Sequence, residues 1–211
     1  SSGHLKAGGN LDEIWTASFG EGSSKRNVLI SAPVADENVI FTIDAEGIVN
    51  AFRLNNGEKI WKKRLKPSNK EARAASISGG GLAVYDSKLF ATTGFGKIFA
   101  LETADGNIIW EQDLKAPIRI APTVNNDLVI AQTLDNGIYA LNIKDGTILW
   151  KDKLEAENTT MIGGAAPAYS PQQDLVIAAF SNGQLQAYKA STGTPLWPVS
   201  YTHLRAHETG R

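Results

Sequence analysis

An all-β fold, a β-propeller built from four-stranded antiparallel blades, is predicted by three interlocked periodicities in this 211-residue chain. Tryptophan recurs at Trp15, Trp61, Trp110, Trp150 and Trp197, with gaps of 46, 49, 40 and 47 residues. A glycine stands four residues before each of the last four: Gly57, Gly106, Gly146 and Gly193. Short alternating apolar runs fill the intervals, and a second glycine series (Gly47, Gly96, Gly137, Gly183) introduces one run in each unit. Repeats of this length with one aromatic each are the mark of propeller blades. No segment shows helical periodicity, which excludes a helical solenoid.

Taken in order, Ser1–Asn10 reads as a polar, flexible leader. Residues 13–19 form a lone outer strand carrying Trp15, of the kind that completes the last blade of a closed ring. The repeats span 11–198, with blades at about 31–65, 80–114, 120–154 and 164–198. Each blade opens on a short Ala-Pro segment (Ala32-Pro33, Ala121-Pro122, Ala166-Pro167), which the second blade replaces with Gly79-Gly80-Gly81. Next comes an apolar run such as Leu128–Gln132, then a turn, a second run such as Ile138–Leu141, and the tryptophan strand. Asp135-Asn136-Gly137 and Ser181-Asn182-Gly183 read as tight primed hairpin turns, because asparagine and glycine tolerate positive φ. About four blades are present, half of an eight-bladed ring. Residues 199–211 follow no blade pattern, resemble vector read-through, and are expected to be a non-native tail.

Composition narrows the function classes. Lys and Arg number 21 against 22 Asp and Glu, so no global charge steers the chain to nucleic acid or an anionic membrane. The longest apolar run, Leu175–Phe180, is too short to span a bilayer. Cysteine is absent, which excludes thiol catalysis and thiolate metal sites. No secretion signal opens the chain, so any secretion signal or lipid-bearing cysteine would have to lie upstream. One tryptophan per outer strand, in equal register, reads as a wedge between blades whose indole N–H reaches a neighbouring carbonyl.

The phrase Ala140-Leu141-Asn142-Ile143-Lys144-Asp145-Gly146-Thr147-Ile148-Leu149-Trp150 resembles the pyrroloquinoline-quinone-like repeat, and its counterparts run through all four blades. None of the five tryptophans is followed by Asp, which argues against WD40 repeats, and the paired glycines of kelch repeats are missing from the first and third copies. Within that superfamily the chain is similar to the outer-membrane assembly factors of the BamB family. The opening strand at Trp15, the long basic connection before the first blade and the Ser181–Ala187 phrase carry that resemblance. It implies a non-catalytic scaffold on the periplasmic face of the bacterial outer membrane, without a cofactor, binding the barrel-inserting subunit of the assembly machinery through propeller loops. The family's partner-contacting loop matches Leu154–Pro167, which makes Asn158, Thr159, Thr160, Met161 and Ile162 the candidate partner-binding residues. The apolar positions of that loop appear here as Thr159 and Met161, and its basic contact falls on Ile162.

The alternative is the N-terminal part of a quinone-dependent dehydrogenase. Its calcium would require grouped carboxylates, whereas Asp44, Asp105, Asp135 and Asp145 all read as turn residues. Gly94-Phe95-Gly96-Lys97 lacks the helix that a phosphate loop needs and reads as a turn. His4 stands alone in the leader, and His203 and His207 lie in the tail, so no metal cluster or catalytic triad can be assembled. A basic run remains. Lys59, Lys62, Lys63, Arg64, Lys66, Lys70 and Arg73 face only Glu71. It reads as an edge strand whose lysines block sheet-to-sheet pairing, with a docking patch for an acidic partner or lipid headgroups as the alternative.

Overall fold

The computed structural model describes residues 31–154, 165–180 and 183–200. They form four antiparallel sheets of four strands each. The first comprises β1 (Val34–Asp36), β2 (Val39–Ile43), β3 (Ile48–Arg53) and β4 (Lys59–Arg64). A short helix, α1 (Lys70–Ala74), precedes β5 (Gly80–Tyr85), β6 (Lys88–Thr93), β7 (Lys97–Glu102) and β8 (Ile108–Asp113). The third sheet holds β9 (Thr123–Asn125), β10 (Leu128–Gln132), β11 (Gly137–Asn142) and β12 (Ile148–Lys153). The fourth holds β13 (Ala168–Ser170), β14 (Leu175–Ala179), β15 (Gln184–Lys189) and β16 (Pro195–Ser200). Within every sheet the spatial order follows the chain, as in a propeller blade, and the first strands β1, β5, β9 and β13 neighbour one another in sequence.

The apolar runs at the centre of the second and third blades are buried on both faces, because each of these sheets has a neighbour on either side, whereas β14 in the fourth blade alternates buried with half-buried residues. Leu128–Gln132 is buried throughout, and so are Phe41, Ile43, Phe90, Ala91, Ile98 and Phe99. The last strands of the first three blades instead alternate, the first exposing Lys59, Lys62 and Arg64 around the buried Trp61. In all four blades the register between the third and fourth strands slips at one alanine: Ala51, Ala100, Ala140 or Ala187. The extra residue is the one just before tryptophan. Such a bulge bends the strand and re-aims the side chain that follows.

Several features differ from the sequence expectation. The primed two-residue turns lie between the first and second strands, where Asp86 and Ser87 both have positive φ (49° and 58°) although neither is glycine. The expected tight primed turn at Asp135-Asn136-Gly137 is instead a three-residue turn with the left-handed residue last, as in the first and second blades, while Ser181 and Asn182 of the other lie outside the described residues. Asp44 N–H donates to Ile48 O while Gly47 takes φ 77°. In the third blade that left-handed position belongs to Asn136 (φ 63°), not Gly137, so the glycine series is one residue out of register there. Gly137 is small for another reason: a Cβ would lie 2.5 Å from Thr133 Oγ1 and 2.8 Å from the Tyr139 ring. The helix α1 was not expected. It is a single short turn started by Asn69, whose side chain accepts the Ala72 N–H. Strand β16 runs to Ser200, two residues beyond the expected end of the fourth blade at 198.

Candidate binding surface

Antiparallel order assigns the loops to two ends of the blades. The chain leaves each blade at the end that carries the three-residue turns. There Leu65 N–H donates to Gly47 O (2.9 Å), Leu114 to Gly96 O (2.8 Å) and Leu154 to Asn136 O (3.2 Å). The connections between blades therefore share one end with these turns, and the two-residue and four-residue turns occupy the other. The candidate partner-binding residues Asn158, Thr159, Thr160, Met161 and Ile162 belong to the third such connection, between β12 and β13, and lie outside the described residues.

The tryptophans form the junctions. Trp61 Nε1 donates to Thr103 O (2.9 Å), Trp110 Nε1 to Ile143 O (2.9 Å) and Trp150 Nε1 to Ala190 O (2.7 Å), each acceptor lying in the next blade. The same indoles lie against the next blade's glycine. A Cβ on Gly106 would sit 2.6 Å from the Trp61 ring, one on Gly146 would sit 2.4 Å from Trp110, and one on Gly193 would sit 2.6 Å from Trp150. These glycines do two jobs at once: they turn the chain with positive φ, near 75°, and give a flat seat to the ring of the preceding blade. Burying an indole removes roughly 150–250 Å² from water, which at ~25 cal/mol per Å² contributes on the order of 4–6 kcal/mol before ordering costs. Gly57 has the same positive φ, 70°, in the first blade. Trp197 is 42% exposed.

Two residues beyond Trp110 and Trp150, a polar group closes the junction. Gln112 Nε2 donates to Gly146 O (3.1 Å), and the Tyr188 hydroxyl donates to Asp152 Oδ2 (2.9 Å). Burial, with the hydrogen bond to Asp152 and its negative charge, pushes the Tyr188 hydroxyl far above the ordinary tyrosine range. Near the end that carries the connections, burial pushes the Asp135 carboxyl up, but Thr133 and Lys153 outweigh it and hold the group below its usual value. At the first junction the corresponding residue is Lys63.

Three other aspartates serve turns. Asp44 Oδ1 accepts from Glu46 and Ile48 N–H, Asp105 Oδ1 from Asn107 N–H, and Asp145 Oδ1 from Thr147 N–H. Buried Asp44 Oδ2 has no hydrogen-bond partner among the described residues, and the space beside Ser76 and Thr93 is about 20 Å³, room for one water. Among the described residues no three His, Cys, Asp or Glu side chains are grouped to hold a metal ion. Among the described residues none offers the grouped carboxylates that a calcium-bound quinone needs. Lys97, in the segment read against a phosphate loop, follows a three-residue turn and pairs with Glu111 (3.1 Å). Among the described residues no helix is long and apolar enough to cross a membrane.

Sixteen strands in four sequential antiparallel sheets, joined by repeated tryptophan seats, define a β-propeller of the pyrroloquinoline-quinone-like repeat class. The profile of the family described as outer membrane protein assembly factor BamB matches residues 45–208, and the chain belongs to that family. It is 28% identical over 185 residues to the outer membrane protein assembly factor BamB of Salmonella typhimurium, covering 87% of this chain and 46% of the relative. An uncharacterized protein of Rickettsia prowazekii is 28% identical over 186 residues, covering 88% and 43%. The crystal structure of BamB from Moraxella catarrhalis superposes with a TM-score of 0.65 at 22% identity, covering 86% of this chain and 51% of that one. The chain thus spans about half the length of the relatives it matches. The fold is shared with quinohemoprotein alcohol dehydrogenase from Comamonas testosteroni (TM-score 0.66, 15% identity, 83% and 35% covered), a likeness of fold alone.

Proposed function

We propose that this chain is part of a non-catalytic propeller scaffold that binds protein partners in the outer-membrane β-barrel assembly machinery, on the periplasmic face of the membrane. The observation that carries the reading is the family match over residues 45–208. The architecture is consistent with it. Strands and tryptophans are committed to packing between blades, which leaves loops as the variable, exposed surface. The contact is assigned to Asn158–Ile162 in the connection after β12, where Met161 and Ile162 are apolar residues beside a polar Asn-Thr-Thr stretch. Apolar side chains within a polar rim suit the core of an interface.

The test replaces Met161 and Ile162 together with Asp in the intact protein and follows co-purification with the barrel-inserting subunit, with circular dichroism to monitor folding. Loss of the partner at unchanged fold is the expected result. Unchanged co-purification places the contact elsewhere, and unfolding assigns both side chains to packing. A second assay adds quinone and calcium and looks for dye-linked alcohol oxidation. Turnover there overturns the scaffold reading.

A further inference from the structure

The three junctions between blades are built to one plan, and the first departs from it. Two residues after the tryptophan, Gln112 and Asp152 each bridge to the following blade. Lys63 occupies that position at the first junction and makes no hydrogen bond or ion pair among the described residues. In place of a bridge there is a recess of about 580 Å³ between the first and second blades. Its basic lining is Lys63, Arg64, Lys66 and Lys97, set against the carboxylate of Glu111.

The recess is shaped on both sides. On the second blade, Lys97 takes a position that is Ile48, Gly137 or Gln184 in the other blades. Its side chain is only 10% exposed, its ammonium lies 5.2 Å from the Phe99 ring centroid, and Glu111 holds it at 3.1 Å. On the first blade, Arg64 is paired with Glu46 (3.3 Å), while Lys66 has no ion pair among the described residues. The wall above is held by Ser68, whose hydroxyl donates to Asp113 Oδ2 (2.7 Å) and ties the connection onto the second blade. At the rim Ile108 is 40% exposed.

We propose that this recess is a docking site for an acidic, extended polypeptide segment, whose carboxylates meet Lys63, Lys66 and Lys97 while an apolar neighbour covers Ile108. Charge complementarity selects the occupant: of the four cations in the lining, Arg64 pairs with Glu46 and Lys97 with Glu111, while Lys63 and Lys66 have no counter-charge among the described residues. The shape selects a peptide over a lipid surface. A flat membrane reaches the exposed lysines of β4 but not an ammonium sunk between two blades. The site is separate from Asn158–Ile162 and does not depend on that assignment.

The experiment measures fluorescence anisotropy of a fluorescein-labelled Glu-Glu-Leu-Glu-Glu peptide with the full chain at low ionic strength, where exposed charge is least screened. Three variants are compared: Lys63→Gln with Lys66→Gln, Lys97→Gln alone, and the control pair Lys144→Gln with Lys151→Gln, which removes the same charge from the third blade. The groove pair is expected to weaken binding by about tenfold and the control by about twofold or less. Lys97→Gln, if circular dichroism shows it folded, should also weaken binding. Equal losses in the groove and control pairs would mean that only net charge matters, and would overturn the proposal. So would absence of peptide binding, or binding only to phosphatidylglycerol vesicles with loss in the groove pair, which would make the surface a lipid contact. The groove pair keeps the test decisive should Lys97→Gln fail to fold.

Discussion

Trp110 and Trp197 occupy the same place in the same repeat phrase, yet one is 7% exposed and the other 42%. Trp110 has a glycine seat and a carbonyl acceptor in the next blade, at Gly146 and Ile143. For Trp197 no following sheet stands among the described residues. A blade therefore does not bury its own tryptophan; its neighbour does. The cohesion of this fold resides at the junctions, and each junction joins two repeats.

The largest expected effect follows directly. Trp61→Ala, Trp110→Ala and Trp150→Ala should each cost about 3–5 kcal/mol, the range for deleting a buried large aromatic. Trp197→Ala should cost less than half as much. Urea unfolding midpoints measure the difference, and a loss at Trp197 equal to the others would break the comparison.

The seat itself can be separated from the turn. Gly146→Ala places a Cβ 2.4 Å from the Trp110 ring at φ 73°. It should cost about 2–4 kcal/mol, combining backbone strain with overpacking. Gly183→Ala has a similar φ of 79° but nothing within 4 Å, so only the backbone cost of about 1 kcal/mol remains. Similar midpoints for the two variants would show that the indole yields to the added methyl.

A smaller effect distinguishes the polar bridges. The folded-state value of the Tyr188 hydroxyl is raised above the ordinary tyrosine value of 10.0, by burial first and then by Asp152. Its contribution is therefore fully present below about pH 10 and is lost as pH climbs above that value. Between pH 8 and 11 the unfolding midpoint should fall less in Tyr188→Phe than in the parent. An identical fall in both would remove Tyr188 as the source. Gln112→Ala, which deletes a bridge that does not titrate, should cost about 0.5–1.5 kcal/mol at any pH in this range.

The smallest effect is expected at Lys63→Gln, within about 0.5 kcal/mol, because that residue bridges nothing. A larger loss would show that the first junction is closed by a contact like the others.

Much of this was legible in the sequence because propeller strands carry their signal locally. Alternating runs located the strands, and the repeated Gly-x-x-x-Trp phrase set their register. The turn types were less legible. Asp86 and Ser87 hold a primed turn without glycine, because its twist matches that of the flanking strands, while in the equivalent turns only the first residue, Glu37 or Asn126, takes positive φ. The Asn136 and Gly137 exchange was hidden for a related reason: either residue tolerates the left-handed conformation, and only pairing across β10 and β11 shows which one adopts it. Of the basic run, Lys59, Lys62, Lys63 and Arg64 lie on an edge strand as the alternation implied, whereas Lys66 lies in the connection and Lys70 and Arg73 on α1. That Lys63 faces Lys97 across a recess was not legible, because the two lysines are 34 residues apart and meet only when blades stack. The partner loop at Asn158–Ile162 rests on resemblance and remains a proposal.

By itself the sequence determined the unit: four strands, their order, the turn positions and the tryptophan that ends each blade. Period-two patterning and turn chemistry act over a few residues, and each copy repeats them. Only the tertiary structure decided what glycines 106, 146 and 193 are for, where the indole N–H groups go and which junction is left open. Those features belong to pairs of repeats rather than to any one of them. A seat is defined by the ring that lies on it, and the ring comes from another blade some 40 residues away.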